Sequence, residues 1–244
     1  MKILSFDAST AELHLSISEA SKLIASENVR PDSDRKRYTA SEIIPAIDSL
    51  LRGQNWRKTD LDTIVVGIGP GSFTGVRVAA VTGRTLGQAL NLPVLGVSIF
   101  DCYAKLMREP VGILIDAGGN SCYVASYRLS EGHNDIDGLA ELEQPKCVRL
   151  ESLPQMFSSS ERWLVSPSLL EKVGSDTSVK MEPLPDLNNI AALQSEIAFH
   201  RLSLRESAGD GATQRERLLK EFPYQSIRPL YLRQASITLK SYPN

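Results

Sequence analysis

Twice in this chain an apolar strand runs into an aspartate-led turn and returns as a second strand. Ile3-Leu4-Ser5-Phe6 enters Asp7-Ala8-Ser9-Thr10, and Val111 to Ile115 enters Asp116-Ala117-Gly118-Gly119-Asn120. A hairpin fixes strand register locally, and its recurrence in each half implies a duplicated unit, which leaves few architectures open. The segments that follow fit such a repeat. Residues 2–6, 12–18 and 22–29 read as an antiparallel meander, and Ala40, Ile43, Ile44, Ile47, Leu50 and Leu51 recur at helical spacing until Gly53. Strands at 64–68 and 94–98 flank a helix from 76 to 90, and a helix over 99–107 closes the half. In the second half, strands at 111–115, 122–129, 146–150 and 163–165 and a helix at 151–157 repeat that order in degraded form. Pro183-Leu184-Pro185 breaks it; Ile190, Leu193, Ile197 and Leu204 then mark a long helix. Residues 206–220 read as a charged, solvated helix or loop, and the tail from Pro229 as irregular.

Two β-β-β-α-β-α units imply an α/β chain with the two-lobed actin-like or sugar-kinase-like architecture (ASKHA, ribonuclease H-like). The division falls into residues 1–107, an N-terminal lobe, and residues 108–244, a degenerate second lobe with C-terminal helices and tail. In that architecture the two aspartate hairpins face each other across a nucleotide cleft, which makes Asp7 and Asp116 candidates for holding Mg²⁺ or accepting a proton. Gly118 and Gly119 resemble a phosphate hairpin. The competing reading makes both aspartates turn residues whose carboxylates accept local amide hydrogen bonds. The only glycine between residues 139 and 208 is Gly174, so an adenosine loop in the second lobe has no candidate.

Between the apolar run Ile64-Val65-Val66-Gly67-Ile68 and the helix to Leu90 lies Gly69-Pro70-Gly71-Ser72-Phe73-Thr74-Gly75-Val76-Arg77. Ser72 and Thr74 are natural helix caps, and a glycine-rich turn before a helix N-terminus can cradle an anion. The spacing is neither GxGxxG nor GxxxxGK[ST].

Composition excludes several classes. A net charge of -2 and a pI near 6.0 give no global field for nucleic acid, so direct RNA binding would need a local patch. Cys102, Cys122 and Cys147 share no CxxC spacing and read as reduced, buried fillers. No apolar run approaches the roughly 18 residues of a membrane span, and Met1-Lys2 leads directly into a strand, so a cytoplasmic chain without membrane attachment is expected. His14, His133 and His200 are isolated in sequence, so no metal site is expected. No base accompanies Ser72 or Thr74 to make either a nucleophile.

Ile3 to Thr10, the run Gly69 to Arg77, Leu95-Gly96-Val97-Ser98, Asp116-Ala117 with Tyr123, and Pro229-Leu230-Tyr231-Leu232-Arg233 fall in the order and spacing of the TsaB (YeaZ) family, which the chain resembles along essentially its whole length. The resemblance implies a non-catalytic subunit required for threonylcarbamoyladenosine modification of tRNAs that read codons beginning with A. It would scaffold and activate a catalytic TsaD-like paralogue together with a TsaE-like ATPase. A homodimer through first-lobe helices is a further implied state, tRNA would be met only in the complex, and no cofactor would be required beyond ATP or ADP at the partner interface. The chain departs from that family at Thr39, Gly118, Asn120 and Ser121, where relatives often carry His, Arg and a Gly-Glu pair. Any role of those groups therefore does not carry over. The alternative is a small phosphotransferase of the same fold, using Asp7 and Asp116 around Mg-ATP.

Within the helix of residues 76–90, Ala79, Gly83 and Gly87 recur every fourth residue as a smooth stripe. Glycine in a helix interior costs about 1 kcal/mol relative to alanine, so close packing must offset it. The stripe lies either on the lobe's own sheet or against a partner helix. The resemblance favours the partner, with Arg77 as a further contact.

Overall fold

The computed structural model describes residues 1–30, 40–107, 109–129, 139–159, 161–173, 179–203, 214–230 and 232. Thr39, His133, Gly174, Leu204, Tyr231 and Arg233 lie outside them. The first sheet contains β1 (Lys2–Asp7), β2 (Leu13–Glu19), β3 (Lys22–Val29), β4 (Thr63–Gly67) and β5 (Val94–Val97), in the order β3-β2-β1-β4-β5. β1 and β2 are antiparallel, as are β2 and β3, whereas β1, β4 and β5 run parallel. Its helices are α1 (Ala40–Gly53), α2 (Phe73–Leu90) and α3 (Ile99–Met107).

The second sheet repeats the plan. β6 (Val111–Asp116), β7 (Ser121–Leu129) and β8 (Leu139–Arg149) form an antiparallel meander, and β9 (Arg162–Val165) and β10 (Lys180–Pro183) add in parallel beside β6. The order β10-β9-β6-β7-β8 is that of the first sheet read from the other edge. The duplicated α/β fold inferred from the two hairpins is therefore present as a shared strand order. α4 (Pro167–Val173), α5 (Ile190–Ser203) and α6 (Gln214–Glu221) complete the elements.

Strand alternation decides which face packs where. Leu4, Phe6, Leu13, Leu15, Ile17, Ile64 and Val66 point to α1 and α2 in one apolar cluster. Ile3, Val65, Leu95 and Val97 point the other way, into a cluster that also takes in α3, α5 and, from the second sheet, Val111, Ile113, Tyr127 and Leu164. The two sheets thus share one core through α3 and α5. A polar tie reinforces it: Asp101 of α3 accepts from the Tyr127 hydroxyl and from Arg201 of α5, each at 2.9 Å. The buried charge at Asp101 is paired and hydrogen-bonded, as burial requires.

The C-terminal part crosses back to the first sheet. α5 lies over β1, β2 and β4, the Val94 amide donates to the Phe222 carbonyl, and the Leu230 amide donates to the Ile68 carbonyl. Cys102 and Cys122 are buried and Cys147 is half-buried, all three as free thiols. Burial pushes the Cys122 thiol up to about 12. No helix among the described residues is long and apolar enough to cross a membrane.

Candidate functional site

α2 begins at Phe73, earlier than its apolar periodicity suggests, because Ser72 caps it: Ser72 Oγ accepts from the Gly75 amide at 3.2 Å. The glycines of this loop seat the helix start against the β1–β2 turn. The Ser72 amide donates to the Ser9 carbonyl at 2.6 Å, and a Cβ added at Gly75 would lie 1.8 Å from the Ala8 carbonyl oxygen. Only glycine permits that approach. The same contact leaves Ser9, Thr10, Gly71 and Ser72 along one wall of a cleft of about 650 Å³, whose other wall includes Asp116, Ser166 and Asp186.

Of the candidate anion-site residues, Ser72 and Asp116 meet in this cleft; Asp7, Thr74, Gly118 and Gly119 are not part of its lining. Asp7 is fully buried. One carboxylate oxygen accepts from the Ser9 amide at 2.6 Å and the other from Gln194 Nε2 of α5, also at 2.6 Å. Gly67 on β4 backs it so closely that a Cβ there would lie 1.8 Å from Asp7 Oδ2. A carboxylate holding a magnesium nucleotide must present lone pairs to the cleft; here both oxygens are engaged and an α5 side chain covers them. The residues present do not fit a magnesium–nucleotide gripped between opposed aspartates.

Asp116 keeps a position on the cleft. Its carboxylate accepts from Ser168 Oγ at 2.6 Å and from the Gly118 amide at 2.8 Å, with Lys172 Nζ at 3.9 Å. The Ser168 hydrogen bond, and then that of Gly118 and the Lys172 charge, hold its carboxyl below the usual value against the opposing effect of burial. Gly118 and Gly119 have φ of 77° and 63°, which explains glycine at this turn. A depressed folded-state value stabilises the fold above the ordinary carboxylate pKa of about 4 and loses that contribution as pH falls through the folded value. Ser168→Ala is therefore expected to raise the Asp116 titration measured by NMR and to lower stability at neutral pH, with the deficit vanishing in acid.

The partner-facing assignment of Ala79, Gly83 and Gly87 is corrected by the structure. All three are buried, facing the lobe's own sheet. A Cβ at Gly83 would lie 2.4 Å from Val66 Cγ2, and one at Gly87 would lie 2.4 Å from Val94 Cγ2. The small stripe lets α2 approach β4 and β5 closely. Gly83→Val is expected to cost about 1–3 kcal/mol through overpacking, measured by urea denaturation; unchanged stability would place the stripe outside.

The outer side of α2 instead carries Phe73, Arg77 and Val81, a line along i, i+4 and i+8. Val81 is 58 % and Phe73 44 % exposed, and the Arg77 guanidinium lies 5.2 Å from the Phe73 ring centroid. Sequence periodicity missed this face because the smooth stripe drew the assignment to the opposite side. Gln194 was missed too; its only signal is a lone amide within an apolar helical repeat. Among the described residues, no group of three or more His, Cys, Asp or Glu is placed to hold a metal ion.

Residues 25–207 match the family model described as TsaD: tRNA N6-adenosine threonylcarbamoyltransferase. A tRNA threonylcarbamoyladenosine biosynthesis protein TsaB of Bacillus subtilis strain 168 is 28 % identical over 190 residues, 77 % of this chain and 76 % of that protein. The protein of the same description from Haemophilus influenzae is 30 % identical over 141 residues, 56 % of this chain and 58 % of the relative. A crystal structure described as an uncharacterized protein with similarity to peptidase YEAZ, from Pseudomonas aeruginosa, superposes with a TM-score of 0.66 at 22 % identity, covering 95 % of this chain and 99 % of the other, so the fold is shared.

Proposed function

The chain belongs to the TsaD family and, within it, to the TsaB (YeaZ) proteins, and from that membership we propose that it is a non-catalytic subunit which scaffolds and activates a TsaD-like catalytic partner. It takes part in tRNA threonylcarbamoyladenosine biosynthesis. The tRNAs concerned are those that read codons beginning with A. The observation that carries the scaffold reading is the sealing of Asp7: the carboxylate that would face a nucleotide is buried under Gln194. A lobe pair that has closed this position retains its shape without the chemistry.

The exposed line Phe73, Arg77 and Val81 supports docking through the first lobe. Two exposed apolar side chains flanking an arginine at helical spacing fit the matching helix of a paralogue of the same fold, and a second copy of this chain is the competing occupant. Binding would act by favouring the active shape of the partner, in proportion to its differential affinity for that shape. A TsaE-like ATPase, tRNA, and ATP or ADP would join only at surfaces formed by the pair. The subunit works in the cytoplasm, where its substrate tRNA resides.

Reconstitution tests the scaffold. The isolated chain is expected to show no ATP turnover and no transfer to tRNA, and to restore modification when added to a TsaD-like protein, a TsaE-like protein and the threonylcarbamoyl donor. The competing phosphotransferase reading draws on the open cleft and on Asp116 at its wall. ATP turnover by the lone chain, lost in Asp116→Asn, would establish that reading and defeat the scaffold.

A further inference from the structure

We propose that His14 is a proton-reading switch for the turn between β1 and β2, held in one ring orientation by the cap of α5. His14 is nearly buried, and it sits in register between Asp7 on β1 and Asn28 on β3. The orientation of each side chain in the row follows from a backbone group whose role is fixed. The Ala192 amide can only donate, so Asn189 Oδ1, 3.0 Å from it, accepts and Asn189 Nδ2 is a donor. That nitrogen reaches the carbonyls of Leu15 and Glu27 at 3.2 Å and Asn28 Oδ1 at 2.6 Å. Asn28 Nδ2 donates to the Asn188 carbonyl at 2.7 Å, which agrees with the same orientation. Asn28 Oδ1 is therefore an acceptor, and His14 Nδ1, 3.0 Å away, carries a hydrogen in every state of the ring.

The remaining nitrogen, Nε2, lies 3.1 Å from Thr10 Oγ1, and that hydroxyl lies 3.0 Å from the Glu12 carbonyl oxygen. Thr10 has one hydroxyl proton and two acceptors competing for it. When the ring is cationic, Nε2–H donates to Thr10 Oγ1 and the hydroxyl donates to the Glu12 carbonyl, so every group is satisfied. When Nε2 gives its proton to water, it becomes an acceptor, takes the Thr10 hydroxyl, and leaves the Glu12 carbonyl without it. A charge-assisted bond also becomes a neutral one. Thr10 borders both the cleft and an adjoining hollow of about 540 Å³, so the turn that shapes both reads the ring.

The charged groups around the ring are Asp7 across the strand pair, Glu12 of the turn, Arg30 just beyond β3, which pairs with Glu12 at 2.7 Å, and Asp186 ahead of α5. Asp7 is already bound by Gln194 of α5. The Thr10 hydroxyl is thus the only member of the row, among the described residues, whose donation must change when the ring titrates.

NMR of the full chain with ¹⁵N-labelled histidine and ¹³C-labelled carbonyls tests this. Neutral His14 is expected in the Nδ1–H form, and the Glu12 carbonyl shift is expected to move in step with the ring's titration. In Thr10→Val, which keeps the ring charge but removes the hydroxyl, that step should disappear; in Asn28→Leu, which removes the acceptor facing Nδ1, the neutral ring should lose its Nδ1–H preference. A neutral wild-type ring protonated at Nε2, a Glu12 carbonyl indifferent to the titration, or an undiminished step in Thr10→Val would each overturn the proposal. If either variant fails to fold, the two wild-type readings decide.

Discussion

Val81→Glu is expected to abolish capture of a TsaD-like partner and, with it, tRNA modification, while the isolated chain keeps its fold. Val81 is the most exposed of the large apolar side chains among the described residues and shares the outer line of α2 with Phe73 and Arg77. At the centre of a docked helix pair a carboxylate would be desolvated, and Arg77 one turn away on the same line would offset only part of that cost. Loss of an interface anchor costs 2 kcal/mol or more, so affinity should fall at least about 30-fold. In the free chain the substitution meets solvent and the Arg77 guanidinium one turn away, and its effect on stability should stay within about 0.5 kcal/mol. Titration calorimetry against the partner, with thermal melting of the free chain as control, separates the two quantities. Wild-type affinity in the variant would remove α2 from the interface; the partner could then dock only elsewhere.

Trp163→Ala is expected to be the most destabilising single change. Trp163 on β9 is fully buried, and Phe157 meets it edge-on with centroids 5.3 Å apart and planes at 76°. Gly112 on β6 makes room for the ring: a Cβ there would lie 2.4 Å from Trp163 Cδ2. Truncation of a buried tryptophan typically costs about 3–5 kcal/mol, most of the stability of a small lobe. Because Leu164 and Val111, beside this site, belong to the core shared with the first sheet, unfolding should remain one transition at a lower denaturant midpoint. A loss under about 1 kcal/mol would contradict the packing described, and separate transitions would contradict the shared core.

The two aspartate hairpins were enough to expose the duplication, because each places a strand, a turn and a strand in fixed order. What the sequence hid has particular causes. The helix α4 carries no marked apolar periodicity and is not read from the sequence; Pro167 occupies its first position, where a missing amide proton costs nothing. Pro183 seemed to end regular structure, but it closes β10, an edge strand that tolerates proline. Residues 151–157 have helical spacing, but Pro154 lies within a 3₁₀ segment running from Leu150 to Ser159. The direction of the α2 stripe was not legible at all: periodicity finds two faces of a helix and cannot say which meets the sheet. Asp7 reads from the sequence as a cleft carboxylate but is fully buried; the covering Gln194 lies far along the chain and no local pattern links them.

The return of α5 to β1 and β2 also sets an order of events during synthesis. The N-terminal sheet emerges from the ribosome long before the helix that covers one of its faces, so that face, with Ser5, Ser16 and Ser18 beneath the future position of α5, spends the interval in water. Serines make such a wait tolerable. The apolar part of that face, Ile3, Val65, Leu95 and Val97, would offer nascent chains a place to stick together, and the serines of β1 and β2 interrupt it until residues 190–203 arrive to cover it.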